Sequence, residues 1–164
     1  MDIRSETPGE AAEISAVITE AFTHAPHSDG TESLIVGRLR SQGALSLSLV
    51  ALSGQGIIGH IAFSPVTVTG RACGWFGLAP LSVRPDRQGQ GVGTALVQAG
   101  LAALRRQGAA GVVVLGDPGF YTRFGFAACA DLQFPGPPPE YFQAQSFCTD
   151  MPVGEVAYHP AFFS

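Results

Sequence analysis

The passage from Trp75 to Arg106 constrains this chain most. An apolar run, Trp75 to Val83, passes through Arg84 to Leu96 into a helical pattern, Val92 to Arg106, and Gly89, Gly91 and Gly93 sit at the join. The order reads as strand, glycine-rich turn and helix N-terminus. Unpaired N–H groups and the positive end of the helix dipole meet in such a turn and make a site for an anion. Glycine lets the backbone bend there and lets a phosphate approach without a Cβ in the way.

Composition narrows what that anion belongs to. The 164 residues suffice for one domain, 1–164, with a full hydrophobic core. At 46% hydrophobic and 13% charged the chain is globular rather than disordered. The net charge is −4, with no block of Lys or Arg, so no nucleic-acid partner is expected and backbone amides are left to hold any phosphate. The polar start carries no signal-peptide pattern and no run reaches the length of a membrane span, so a cytoplasmic protein with no membrane partner is expected. Cys73, Cys129 and Cys148 are odd in number and widely spaced, with no Cys-x-x-Cys. They read as reduced thiols, and neither zinc nor another metal is expected.

Along the chain, Asp2 to Arg4 reads as a short first strand. Thr7-Pro8-Gly9-Glu10 reads as a helix start, with Thr7 as N-cap, Pro8 in the first helical position and Glu10 completing a capping box. Ile14, Val17, Ile18, Ala21 and Phe22 follow at helical spacing. His24 to Gly30 reads as a loop, and Thr31 as the cap of a second helix to Ser41 with Leu34, Ile35 and Leu39 inward. Leu47, Leu49 and Ala51 alternate with Ser46, Ser48 and Val50, and Ser53-Gly54-Gln55-Gly56 turns the chain into Ile57 to Ser64 as a hairpin, which Val66 to Thr69 extends or bends. Trp75 to Val83 is apolar without alternation, as in a central strand covered on both faces. Pro80 cannot donate to a ladder and marks an edge or a bulge, where the strand parts from its neighbour. Gly111 to Leu115 reads as a second buried strand, joined to the first through a right-handed crossover. Pro118 opens a helical turn to Phe124, stopped by Gly125; Phe134 to Glu140 is a proline-rich loop; Ser146–Met151 and Gly154–Tyr158 read as a final hairpin.

The motifs Gln88-Gly89-Gln90-Gly91-Val92-Gly93 and Tyr121-Thr122-Arg123-Phe124-Gly125-Phe126, at this separation and with these strands between, resemble the two signatures of the GNAT (Gcn5-related) N-acetyltransferases over essentially the whole chain. The closing Tyr158-His159-Pro160-Ala161-Phe162-Phe163 resembles a bacterial subgroup of unassigned substrate. A dinucleotide fold shares the strand–glycine–helix order but needs a third glycine at Thr94, and the antiparallel strands upstream oppose it. A P-loop is excluded by the lack of Gly-Lys-Ser/Thr.

The resemblance implies an α/β fold: one mixed, mostly antiparallel sheet, helices on both faces and a splayed parallel strand pair. It implies acetyl-CoA as donor. The amides of Gln88, Gly89, Gln90, Gly91, Val92, Gly93 and Thr94 hold the pyrophosphate, and Leu81, Ser82 and Val83 lie along the pantetheine, paired as an added strand is. A backbone N–H near Leu81 polarises the thioester carbonyl. Tyr121 returns a proton to the leaving thiolate, or is only a packed aromatic. Many relatives carry a glutamate on the fourth strand as base, but no acid lies between Cys73 and Val83 here. Glu32 is a candidate base, or serves only the helix dipole. His60 is another, or is a core histidine. Asp117 is a candidate too, or only caps the short helix that follows. A water chain to solvent is a further route for the proton. The expected function is acetyl transfer to a small-molecule primary amine by direct attack in a ternary complex. Transfer to a hydroxyl, transfer of a longer acyl group, and a CoA-binding module without turnover are the rivals. Phe162 and Phe163 are expected to pack, on the domain or across a homodimer.

Overall fold

In the computed structural model the structure describes residues 1–163 apart from 24, 26, 27 and 55. His24, Pro26 and His27 of the first expected loop, Gln55 of the expected hairpin turn and Ser164 thus lie outside the described residues. The elements in chain order are β1 (Asp2–Ser5), α1 (Ala11–Phe22), α2 (Glu32–Ser41), β2 (Leu47–Ser53), β3 (Gly56–Val68), β4 (Arg71–Val83), α3 (Val92–Arg106), β5 (Gly111–Leu115), α4 (Pro118–Tyr121), β6 (Ala127–Ala128), β7 (Leu132–Gln133), β8 (Phe142–Ser146) and β9 (Gly154–Tyr158). The chain divides into two compact units, Met1–Phe63 with Pro80–Gly100, and Ser64–Ala79 with Leu101–Ser164.

In the first unit β1, β2 and β3 form an antiparallel ladder, with Ile3 opposite Ala51 and Val50 opposite His60. Ile14, Val17 and Ile18, three and four apart, fall on one face of α1 and pack with Val36, Val50, Ile57 and Ala62. β2 is covered on both faces: Ser48 and Val50 are as buried as Leu47, Leu49 and Ala51, so the alternation marks no solvent face. The start of α3 lies directly on β3. A Cβ at Gly100 would stand 2.4 Å from the Phe63 ring, and one at Gly59 would stand 3.0 Å from both Val92 and Leu96. Two glycines thus set how closely the helix that follows the glycine turn approaches the strand.

Two expectations in this unit are corrected. The first helix begins at Ala11 with Glu10 as its N-cap, because Gly9 takes φ +94° and interrupts the helical run after Pro8. Half of the expected capping box still forms, the Thr7 N–H donating to Glu10 Oε1 at 2.7 Å, while Arg4 grips the same carboxylate. On α2 the inward residues are Val36 and Leu39, and Leu34 is 55% exposed. Thr31 precedes the helix, but its hydroxyl donates to Asp29 at 2.6 Å instead of capping.

In the second unit β4 and β5 are parallel, from Trp75 opposite Gly111 to Leu78 opposite Val114. β5 pairs antiparallel with β8, which carries β6 on its other edge. The second half of β3 pairs with β9, and β9 runs parallel to β7. Val66, Trp75, Val113, Phe142 and Val156 form the core. The expected final hairpin does not form: β8 starts at Phe142 and belongs with β5, while β9 belongs with β3. The chain turns where the Ser146 hydroxyl donates to Cys148 O at 2.8 Å and the Phe147 N–H is drawn to Ala110 O at 2.8 Å. The closing segment divides: Phe162 packs on Tyr158 with ring centroids 5.2 Å apart, whereas Phe163 is 71% exposed.

Candidate active site

The glycine turn is built by the strand before it. β4 ends at Val83, and Arg84 pins the exit: its N–H donates to Ile58 O at 2.9 Å, its Nε to Ile57 O at 2.8 Å, and its guanidinium pairs with Glu20. A 3-10 turn, Pro85–Arg87, follows. The two signature glutamines brace the loop. Gln88 Nε2 donates to Val83 O at 3.1 Å and Gln90 Nε2 to Asp86 O at 3.3 Å.

Gly89 and Gly91 hold φ of +75° and +85°, the left-handed region that favours glycine. A Cβ at either would meet nothing within 4 Å, so the space beside them is open. Among the described residues the backbone N–H groups of 89–94 have no acceptor, and the first bond of the helix runs from Ala95 N to Gly91 O at 3.0 Å. Unpaired donors converging at an open helix N-terminus fit a pyrophosphate, with no cationic side chain required. Upstream, Ser82 is buried while Leu81 and Val83 on the opposite face of the strand are half-buried. In the second unit the parallel ladder stops at Leu78 and Val114, two residues before Pro80. Proline has no N–H with which to continue it.

Tyr121 sits at the end of α4 in the second unit. Asp117 caps this helix, its Oδ1 accepting the Gly119 N–H at 2.8 Å, and Gly125 at φ +97° ends the 3-10 turn beyond it. The capping role considered for Asp117 is therefore the observed one. The Tyr121 ring meets Phe120 edge-on at 4.9 Å and Phe126 edge-on at 5.9 Å. A Cβ at Gly116 would stand 2.6 Å from it. Burial pushes the phenol up to about 12. At neutral pH it keeps its proton and is a donor.

Glu32 and His60 have separate surroundings, both in the first unit. Glu32 is half-buried in the first turn of α2, accepts the Ser28 hydroxyl at 2.7 Å, and lines a recess of about 310 Å³ with Ile18, Phe22 and Asp29. His60 is fully buried, its Nε2 2.8 Å from Ser48 Oγ. The Ser48 hydroxyl donates to Glu6, which Arg40 grips through two bonds of 3.0 Å. Since Ser48 spends its proton on Glu6, His60 Nε2 is the protonated nitrogen. His60 Nδ1 has no partner among the described residues. Desolvation pushes the imidazole down to about 4, so the ring is neutral at physiological pH. Burial alone would raise Glu6, but Arg40 and Ser48 outweigh it and hold the carboxyl below the usual carboxylate range.

This chain of side chains carries no mark in the sequence, because its members are brought together only by the β1–β2–β3 ladder and α2. Among the described residues no group of three or more His, Cys, Asp or Glu is placed to hold a metal, and no helix is long and apolar enough to cross a membrane.

Known proteins share this fold. Residues 45–128 match the acetyltransferase (GNAT) domain. An N-acetyltransferase of uncharacterised role from Escherichia coli K12, YhbS, is 43% identical over 169 residues, spanning 99% of this chain and 98% of its own. The crystal structure of YhbS from Escherichia coli in complex with CoA superposes with a TM-score of 0.90 at 39% identity, covering 98% of this chain and 91% of the other. A GNAT-family acetyltransferase from Brucella melitensis in complex with acetyl-CoA gives a TM-score of 0.89 at 50% identity, covering 98% and 97%. The mixed, mostly antiparallel sheet with a parallel β4–β5 pair is thus the fold the sequence resemblance implied, and the chain belongs to the GNAT family of acetyltransferases.

Proposed function

We propose that this protein transfers an acetyl group from acetyl-CoA to a small-molecule primary amine by direct attack, donor and acceptor being bound together. The observation that carries this is the set of unpaired N–H groups at the open turn 89–94. Acetyl-CoA supplies the acetyl group as a thioester. Gln88 through Thr94 hold its pyrophosphate by backbone amides. Leu81, Ser82 and Val83 line its pantetheine arm, and an N–H near Leu81 polarises the carbonyl. The acetyl-CoA and CoA complexes of the two relatives support the same ligand here.

Tyr121 Oη delivers a proton to the sulfur as it leaves. Its burial among Phe120, Phe124 and Phe126 keeps that proton in place until it is needed. On the acceptor side we assign the role of proton acceptor to Glu32, since its half-buried carboxylate lines a recess and attracts a cation. His60, fully buried and neutral, is assigned to holding β2 and β3 together through Ser48. The two units act as one acetyltransferase domain, and the three free cysteines suit a reducing cytoplasmic setting. The exposed Phe163 supports a homodimer contact. The test is thiol release from acetyl-CoA across a panel of primary amines, with NAD as a binding control. Acetyl-CoA raises the melting temperature and at least one amine releases CoA. Stabilisation by NAD but not by acetyl-CoA would overturn the proposal.

A further inference from the structure

A buried amide lies beneath Tyr121. Gln143 on β8 is 1% exposed, and its ladder partners are Val114 of β5 on one side and Ala128 of β6 on the other. Residues two apart along a strand share a face of the sheet. Gly116 lies two beyond Val114 and continues the ladder, its N–H donating to Tyr141 O at 2.9 Å, and Phe126 lies two before Ala128. The Tyr121 ring meets both of these residues. A Cβ at Gly116 would stand 2.6 Å from the ring edge, and Phe126 meets the ring edge-on at 5.9 Å. Gln143 thus sits between the two contacts of the ring, on the same face and in the same unit.

Gln143 Nε2 donates to Gly116 O at 3.3 Å, while its Oε1 is buried with no partner among the described residues. An unpaired buried acceptor is destabilising. Leucine or methionine would fill the space between Val114 and Ala128 without that cost, but neither has an N–H to hold Gly116 O. That carbonyl belongs to the peptide leading into Asp117. The Asp117 side chain caps α4, and its C=O accepts the Tyr121 N–H at 3.0 Å. Gly116 is therefore held on both sides, its N–H by Tyr141 and its C=O by Gln143. The helix that carries Tyr121 starts from this point, and the Tyr121 ring returns to rest on it.

We infer that Gln143 is a positioning residue for the proton given to the leaving sulfur, which rests on the reading of Tyr121 as the group that gives it. Through one carbonyl, Gly116 O, it fixes both the start of α4 and the seat of the Tyr121 ring, and so sets where Tyr121 Oη stands. Gln143 exchanges no proton itself. A general acid works only within hydrogen-bond reach of the atom it protonates, and a misplacement of about 1 Å can cost ~10²-fold in rate.

The test is a double-mutant cycle of Gln143→Met and Tyr121→Phe, with CoA release measured on the panel amine that reacts fastest. Methionine keeps the volume of glutamine and removes the N–H. Gln143→Met lowers kcat by at least ~5-fold and leaves KM for acetyl-CoA unchanged. In the Tyr121→Phe background the same substitution changes kcat by less than ~2-fold, because no donor remains to be placed. An unchanged kcat in Gln143→Met, or an equal loss in both backgrounds, overturns this inference alone. Full activity in Tyr121→Phe overturns the reading of Tyr121 beneath it, and CoA release by no amine overturns the proposed function. Should Gln143→Met not fold, Gln143→Glu carries the test. Burial favours the protonated carboxyl, whose O–H can still donate to Gly116 O, whereas the carboxylate cannot. The ratio of its kcat to that of the wild type then falls between about pH 6 and about pH 9.5, and a flat ratio overturns the inference.

Discussion

Tyr121 and His60 show how one force, desolvation, moves the pKa values of two side chains in opposite directions. Burial raises a phenol and lowers an imidazole, so both are neutral at physiological pH, the phenol keeping its proton and the imidazole carrying one unprotonated nitrogen. Tyr121→Phe keeps the shape and removes the donor. It should lower kcat by at least ~10-fold with KM for acetyl-CoA little changed, because the interaction it removes exists only as the sulfur leaves. Full activity in that variant would make Tyr121 a packing residue.

For His60 the folded pKa of about 4 lies below the ordinary 6.5, so the unfolded chain takes up the proton first as pH falls. Stability is complete above 6.5 and is lost on the way down to 4, by about 3 kcal/mol in all. Glu6, held below the carboxylate range, adds loss in the same direction at lower pH. Urea denaturation of His60→Gln should show a flatter limb between those values than the wild type, and an equally steep limb would mean that another group titrates. The helical turn that carries Tyr121 was legible in the sequence, from Pro118 at its start and Gly125 at its end. The partners of His60 were not: Glu6, Arg40 and Ser48 lie far apart in the chain, and only the folded ladder makes them one group.

At the scale of elements, periodicity spoke clearly where one helix met one core. α1 has the face its spacing predicts, and α3 spans the expected Val92 to Arg106, starting at Val92 because Gly91 is the last left-handed residue before it. It failed where the contacts are long-range. β8 and β9 are neighbours in sequence and partners of different strands, a choice made by β5 and β3 and invisible locally. On α2, Val36 displaces Leu34 from the core, since the face is chosen by α1 rather than by hydrophobicity alone. Gly100 offers the element-scale test. An alanine there improves helix propensity by about 1 kcal/mol but drives a methyl into the Phe63 ring. Overpacking of this kind costs about 1–3 kcal/mol, so Gly100→Ala should lower the urea midpoint, and a raised midpoint would mean that α3 does not rest on β3 as described.

For the whole molecule, an acidic chain of net charge −4 holds a polyanionic donor without a basic patch. On the proposed reading backbone amides supply the attraction, and they are fixed in place only if the protein is folded. Acetyl-CoA at about 100 times its Kd should therefore stabilise the fold by about 2.7 kcal/mol. The glycine spacing made the left-handed turn before α3 legible in the sequence, because that turn is local. The recess beside Glu32 was not legible, since it is assembled from α1, the following loop and α2. The most direct measurement is calorimetry of acetyl-CoA with the wild type and with Gly91→Glu, alongside circular dichroism of both. A side chain at φ +85° is strained, and a carboxylate there repels the pyrophosphate while Cβ itself meets no protein atom within 4 Å. The wild type should bind and Gly91→Glu should lose affinity by at least ~10-fold with its fold retained; equal affinity in the two would show that the turn at 88–94 does not hold the phosphate.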